Sequence, residues 1–267
     1  MLMRWVTYDQ TRPVQYERGG YDSKTDIHCP MYIDYEESEK YCKSDGVKPY
    51  IQCEYAHAMG NSEGGFKEYW DLIRKYPKYQ GGYIWDFVDQ GLRDKSPITG
   101  KEIFTYGGDY GRYPASDYNF NCNGIIAPDR RLNPHAYEIQ YWHQNVWIKD
   151  LDAVNGAFNI YNENFFKNID DLHLTATIYA NGVKLSTVEI PETKGIAPQT
   201  TKMVKSDALK YAIAEAETEH GKEEITVNFA FASDGTEPLV EKGQVIARMP
   251  TKSSIGIRMY GSRIWMP

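Results

Sequence analysis

Two spacings of apolar residues divide the chain. Up to about residue 145, short apolar runs alternate with helical stretches; beyond it the spacing falls to two. In the first part, Pro13 to Glu17, Asp26 to Tyr32 and Pro49 to Glu54 are strand candidates. A charged segment from about Asp34 to Lys43 between the last two predicts a helix, ended by the Asp45-Gly46 turn. Ser62 is a candidate cap for a helix whose apolar residues Phe66, Tyr69, Trp70 and Ile73 fall at i, i+3, i+4 and i+7. Pro77 ends it, and Gly82 to Val88 predicts a fourth strand. Short strands separated by helices predict an α/β arrangement with parallel strands. From Gly107 to Gly124 the pattern stops in a Gly-, Tyr- and Asn-rich run, which reads as an ordered loop. Asn133 and Pro134 form an N-cap and N1 pair opening a short helix through about His143.

In the second part Leu172, Leu174, Ala176, Ile178 and Ala180 alternate with less apolar residues and run into Asn181-Gly182, a strong hairpin signal. Val183 to Ile190 is the partner strand. Ile225, Val227, Phe229 and Phe231 alternate again, and Gln244 to Arg248 gives a last short strand. This predicts an immunoglobulin-like antiparallel β-sandwich over residues 145–267, after an α/β domain over 1–144.

Composition narrows the partners. A net charge of −7 without a basic block argues against nucleic acid. No apolar run approaches membrane-spanning length, and the start is too polar for a signal peptide. Cys29, Cys42, Cys53 and Cys122 fit no paired metal or redox spacing, so free thiols in a reducing, cytoplasmic compartment are expected. The 22 tyrosines and six tryptophans suit sugar rings, with their C–H faces and hydroxyl rims, although much of that aromatic content must serve the core.

The candidate chemistry concentrates in Cys53 to Ser62, CEYAHAMGNS. An apolar approach through Tyr50 and Ile51 ends at a glutamate, then the chain breaks into small residues. Glu54 thus stands at the C-terminal end of a strand, where βα units place working side chains. A surface ion pair is the plain alternative for such a glutamate.

CEYAHAMGNS, RPVQYERGG (Arg12 to Gly20), DIHCPMY (Asp26 to Tyr32), GGYIWDFVDQGL (Gly81 to Leu92), YGGDYG (Tyr106 to Gly111) and FNCNG (Phe120 to Gly124) come in the order found in the large bacterial β-galactosidases of glycoside hydrolase family 2. NPHAYEIQYWHQNVW (Asn133 to Trp147) extends the resemblance, which covers about the first 150 residues strongly. It implies that the four strand candidates are the fifth to eighth of a (β/α)8 TIM barrel, so that the chain holds the C-terminal half of the barrel and the β-sandwich after it. The other half, or self-association, is then the expected partner, because half a barrel leaves strand edges unpaired.

By the same resemblance the activity is retaining hydrolysis of terminal β-galactosides, with Glu54 as nucleophile and Tyr32 beside it as a donor. His57 matches a residue contacting sugar hydroxyls, although a histidine in a turn can equally be bonded to backbone. Trp85 matches a pocket wall. Phe120, through its carbonyl, and Asn123, through its side chain, match positions that hold Na+ or K+, and Asn123 lies against the sugar. The acid/base residue belongs to a Gly-Asn-Glu-type motif that this sequence lacks; Asn61-Ser62-Glu63 resembles it only superficially, and Glu17, Asp86 and Asp89 do not match it. The ligands of the family's Mg2+ are likewise expected upstream. A non-catalytic remnant, serving assembly or carbohydrate binding, is the alternative.

Overall fold

The computed structural model describes residues 9–19, 25–111 and 116–253. The chain divides into two compact units, Met1–Trp142 and His143–Pro267.

The first unit is organised around two parallel strands, β1 (Tyr50–Tyr55) and β2 (Tyr79–Ile84). The DIHCPMY segment lies along the other side of β1 but touches it through single parallel bridges only, His28 to Tyr50 and Met31 to Glu54. Pro30 has no N–H, and Tyr32 takes a left-handed backbone (φ 52°), so a regular ladder cannot form there. The stretch Pro13 to Glu17 is not a strand. Val14 and Asp26 are tied instead by Asp26 N to Val14 O at 2.7 Å and Val14 N to Asp26 Oδ2 at 2.7 Å. The fourth expected strand ends at Ile84, before the cis Trp85–Asp86 peptide, and starts three residues earlier than its pattern suggested.

Helix α1 (Tyr35–Lys43) forms where the charge pattern predicts it, with Asp34 Oδ1 accepting from Glu37 N at 2.8 Å. Helix α2 (Phe66–Lys75) does not use Ser62 as its cap. Ser62 Oγ donates to His57 O at 2.6 Å, and the cap position falls to Gly65, left-handed at φ 71°. A Cβ there would collide with Tyr35 Oη, so glycine is required twice over. Helix α3 (Ala136–Trp142) starts later than the Asn133-Pro134 pair implies, because Asn133 Nδ2 donates to Gly124 O at 2.8 Å and serves the loop instead of the helix. A short exposed hairpin, β3 (Leu92–Lys95) with β4 (Glu102–Thr105), has no apolar alternation to announce it.

Tyr41, Cys42, Tyr50 and Tyr79 form one core cluster with Leu72, Ile73 and Tyr76 against it; Tyr55, Phe66 and Ile139 form another beside Tyr69 and Trp70. Gln52, fully buried between the strands, has its polar atoms engaged: Oε1 accepts from Ile33 N at 2.8 Å, and Nε2 donates to Tyr79 Oη at 2.9 Å and Ile33 O at 3.2 Å.

The second unit holds two antiparallel sheets. One has the order β5 (Val146–Asp152), β6 (Ala157–Asn162), β9 (Thr200–Lys205). The other runs β11 (Val245–Lys252), β10 (Ile225–Ser233), β7 (Leu172–Ala180), β8 (Val183–Ile190). Alternate residues of β7 and β10 are fully buried, and Phe158 of the first sheet meets Phe229 of the second at 5.0 Å between centroids. Asn181 and Gly182 turn with positive φ, as the hairpin signal requires. Strand β11 runs past Pro250, which it tolerates as an edge strand. Helix α4 (Asp207–His220) was not anticipated; Ser206 caps it, with Leu209 N donating to Ser206 Oγ at 3.2 Å, and Leu209, Ile213 and Ala216 are buried. The four cysteines are free.

Candidate functional site

Strand β1 delivers Glu54 one residue before its end, and the segment beside it delivers Tyr32. Tyr32 N donates to Glu54 O at 2.8 Å, which aligns the two residues, and Tyr32 Oη donates to Glu54 Oε2 at 2.7 Å. The left-handed turn at Tyr32 brings the phenol back onto its neighbour, and Ala56 (φ 48°) turns the chain immediately after the strand. Burial, the bond to Glu54 and the carboxylate charge all push the Tyr32 phenol well above its ordinary pKa. It therefore keeps its proton at any physiological pH and always donates.

The turn after β1 supplies His57, whose ring stands edge-on to Tyr32 at 6.0 Å and tilted against Phe120 at 5.4 Å. Trp85 follows β2 directly, and its carbonyl accepts from Ala58 N at 2.9 Å, joining the two strand-end segments. The loop wall comes from Phe120 and Asn123. Asp86 N donates to Asn123 O at 2.8 Å, and Asn123 Nδ2 donates to Phe120 O. Asn123 is buried and its Oδ1 has no hydrogen-bond partner. Gly124 beside it packs so closely on Val88 and Asp89 that any Cβ would overlap backbone.

Tyr32, Glu54, His57, Trp85, Phe120 and Asn123 thus come together around one cavity of about 280 Å³. Gln90 also lines it, a residue that sequence reasoning passed over although it stands in the same GGYIWDFVDQGL run. Glu54 is the one carboxylate among the described residues that line the cavity. Glu63 does not line it: its side chain is fully enclosed, with Oε2 3.3 Å from His135 Nε2. Asp86 and Asp89 are occupied in the walls, Asp86 Oδ2 accepting from Gln90 Nε2 at 2.6 Å and Asp89 Oδ1 from Gly124 N at 2.7 Å.

A wall of aromatic faces, a carboxylate held by a phenol, two amides and one imidazole make a cavity suited to a polyhydroxylated ring. Residues 1–148 match the model for the TIM barrel domain of glycosyl hydrolases family 2. The chain belongs to that family. Residues 158–250 match the model for β-galactosidase domain 4, so glycosyl hydrolase family 2 accounts for both parts of the chain. Among curated family relatives, the β-galactosidase of Leuconostoc mesenteroides is 35% identical over 263 residues, 92% of this chain and 24% of that protein. That of Halalkalibacterium halodurans is 42% identical over 182 residues, 66% and 17% of the two chains. That of Aeromonas hydrophila is 40% identical over 214 residues, 75% and 20%. The chain spans about a quarter or less of the length of these relatives.

Proposed function

We propose that this chain is the nucleophile-bearing portion of a retaining β-galactosidase. The observation that carries this is the 2.7 Å bond from Tyr32 Oη to Glu54 Oε2 inside an aromatic-walled cavity. Glu54 attacks the anomeric carbon of a terminal β-galactoside, the bond to the aglycone oxygen breaks, and a glycosyl ester forms on Glu54. Tyr32 orients the attacking carboxylate; Trp85 and Phe120 flank the ring and exclude water, and His57 and Asn123 meet its hydroxyls. The leaving oxygen takes its proton from a second carboxyl, which then activates the water that releases galactose. None of the cavity's described residues supplies that carboxyl, so it belongs to another segment or chain.

In this reading the first unit is the half-barrel of strands five to eight, the second an immunoglobulin-like β-sandwich, and the partner the other barrel half or a second copy of the chain. Tyr83 and Phe87, 68% and 67% exposed along and beyond β2, are apolar surface that such a partner would cover. A cytoplasmic location goes with it, as does a role for Mg2+ held outside this chain.

Phe120 O and the Asn123 amide fit a Na+ or K+. With Nδ2 toward Phe120 O the amide closes a hydrogen bond and leaves Oδ1 buried and unpartnered; with the amide turned over, two oxygens face one point. A bound ion would add positive charge beside the sugar hydroxyls.

The test is intact-protein mass after incubation with 2,4-dinitrophenyl 2-deoxy-2-fluoro-β-galactoside, whose leaving group departs without an acid. One added fluorogalactosyl mass on the Glu54 peptide, absent in Glu54→Gln, is the expected result. Labelling that persists in Glu54→Gln would refute the nucleophile. A chain that binds galactosides yet gains no mass would favour the non-catalytic, carbohydrate-binding reading, for which the single cavity carboxylate speaks.

A further inference from the structure

We propose that Gln90 is a hydrogen-bond acceptor for a hydroxyl of the sugar, helping to set which sugar the cavity takes, and that Asp86 positions it. The inference rests on the galactoside-binding reading above and gives that same cavity a specificity-determining residue.

Gln90 lines the cavity with Glu54 and Trp85. Both ends of its wall are fixed by backbone bonds: Gln90 N donates to Asn121 O at 2.7 Å, Asp86 N to Asn123 O at 2.8 Å, and Ile125 N to Asp86 O at 3.0 Å. Gln90 Nε2 donates to Asp86 Oδ2 at 2.6 Å. A carboxylate only accepts, so the amide nitrogen must face Asp86 and the amide cannot be turned over. Oε1 is then the arm left over, and no protein hydrogen bond engages it among the described residues. Among the described residues Asp86 makes no other side-chain bond, and its Oδ1 is buried without a partner. That single bond to Asp86 selects which face of Gln90 meets the ligand.

The chemistry follows from this orientation. Trp85 and Phe120 contact the C–H faces of a pyranose and tolerate epimers, whereas a fixed acceptor rewards a hydroxyl at one place and is left unsatisfied when that hydroxyl is inverted or missing. Gln90 therefore separates a galactoside from its epimers.

The experiment measures the Kd of isopropyl 1-thio-β-D-galactoside and of the matching glucoside for the intact chain, by tryptophan fluorescence. Gln90→Ala is expected to weaken galactoside binding about 3- to 10-fold and to narrow the preference over the glucoside. Asp86→Ala should weaken it too, with no further loss when added to Gln90→Ala. Asp86→Asn, which keeps an acceptor for the Gln90 amide, should restore most of that affinity; it also serves if Asp86→Ala fails to fold. Unchanged Kd values and preference in Gln90→Ala overturn the inference while leaving the galactoside reading intact. Full additivity of the two alanine variants overturns the positioning role of Asp86. No galactoside binding by the wild-type chain overturns both readings together.

Discussion

At the scale of single residues, Tyr32 and Glu54 make the sharpest statement. In the proposed reaction the protonated Tyr32 phenol stabilises and aims the Glu54 carboxylate, but it also holds one lone pair of that group. Tyr32→Phe keeps the ring and its packing and removes only the donor. We expect the rate of fluorogalactosyl labelling to fall by about 10- to 100-fold, while the melting temperature moves little, since one half-exposed hydrogen bond contributes about 1 kcal/mol. Rapid labelling in that variant would show that Glu54 needs no such orientation. The six cavity residues were legible in the sequence because their motifs came as a set that resembles one family; only Glu54 was also marked by the apolar run before it. Gln90 was not, because its bond to Asp86 forms in the irregular segment after β2, where no periodicity announces it.

At the scale of elements, the strongest patterns formed the expected structures and the weaker ones gave way to local geometry. Strands β7 and β10 were readable because a buried face enforces a period of two, and β8 because the Asn181-Gly182 turn announces it. The DIHCPMY segment was misread as a regular strand because Pro30 and the turn at Tyr32 break a ladder that its apolar residues suggest. Ser62 was misread as a cap because its hydroxyl found His57 O first. Helix α4 went unnoticed although Ser206, Leu209, Ile213 and Ala216 carry its cap and its buried stripe. The true start of α2 gives a direct test. Gly65→Ala must place a Cβ against Tyr35 Oη at a left-handed position, so it should cost about 1–3 kcal/mol in denaturant unfolding. Ser62→Ala should not produce the loss expected of a helix cap.

At the scale of the whole molecule, a titratable carboxyl has been buried where sequence reasoning expected only a superficial motif. Glu63 is enclosed just after the nucleophile segment, faced by His135, Glu138 and Tyr55. Burial, with Glu138 adding a like charge, raises the Glu63 pKa to about 8. The folded chain therefore binds a proton that the unfolded chain releases near pH 4.5. This contribution to stability is complete below that pH and is lost as the pH rises through about 8. Thermal unfolding should show a fall on the order of a few kcal/mol across this window, and Glu63→Gln should flatten it. A wild-type profile without that slope would mean that the pair is held as an ion pair with His135.

Gln52 does not line the cavity, yet it helps to fix the register that sets Glu54 beside Tyr32. A slip of the chain by one position would turn its amide out of the seam, leave Ile33 N and O without their partner and strand a glutamine among tyrosine rings. The same slip would move Glu54 to the opposite face of the sheet, away from Tyr32. One neutral side chain thus works as a proofreading device for the cavity: misaligned chains are penalised in the core, before any ligand could reveal the error.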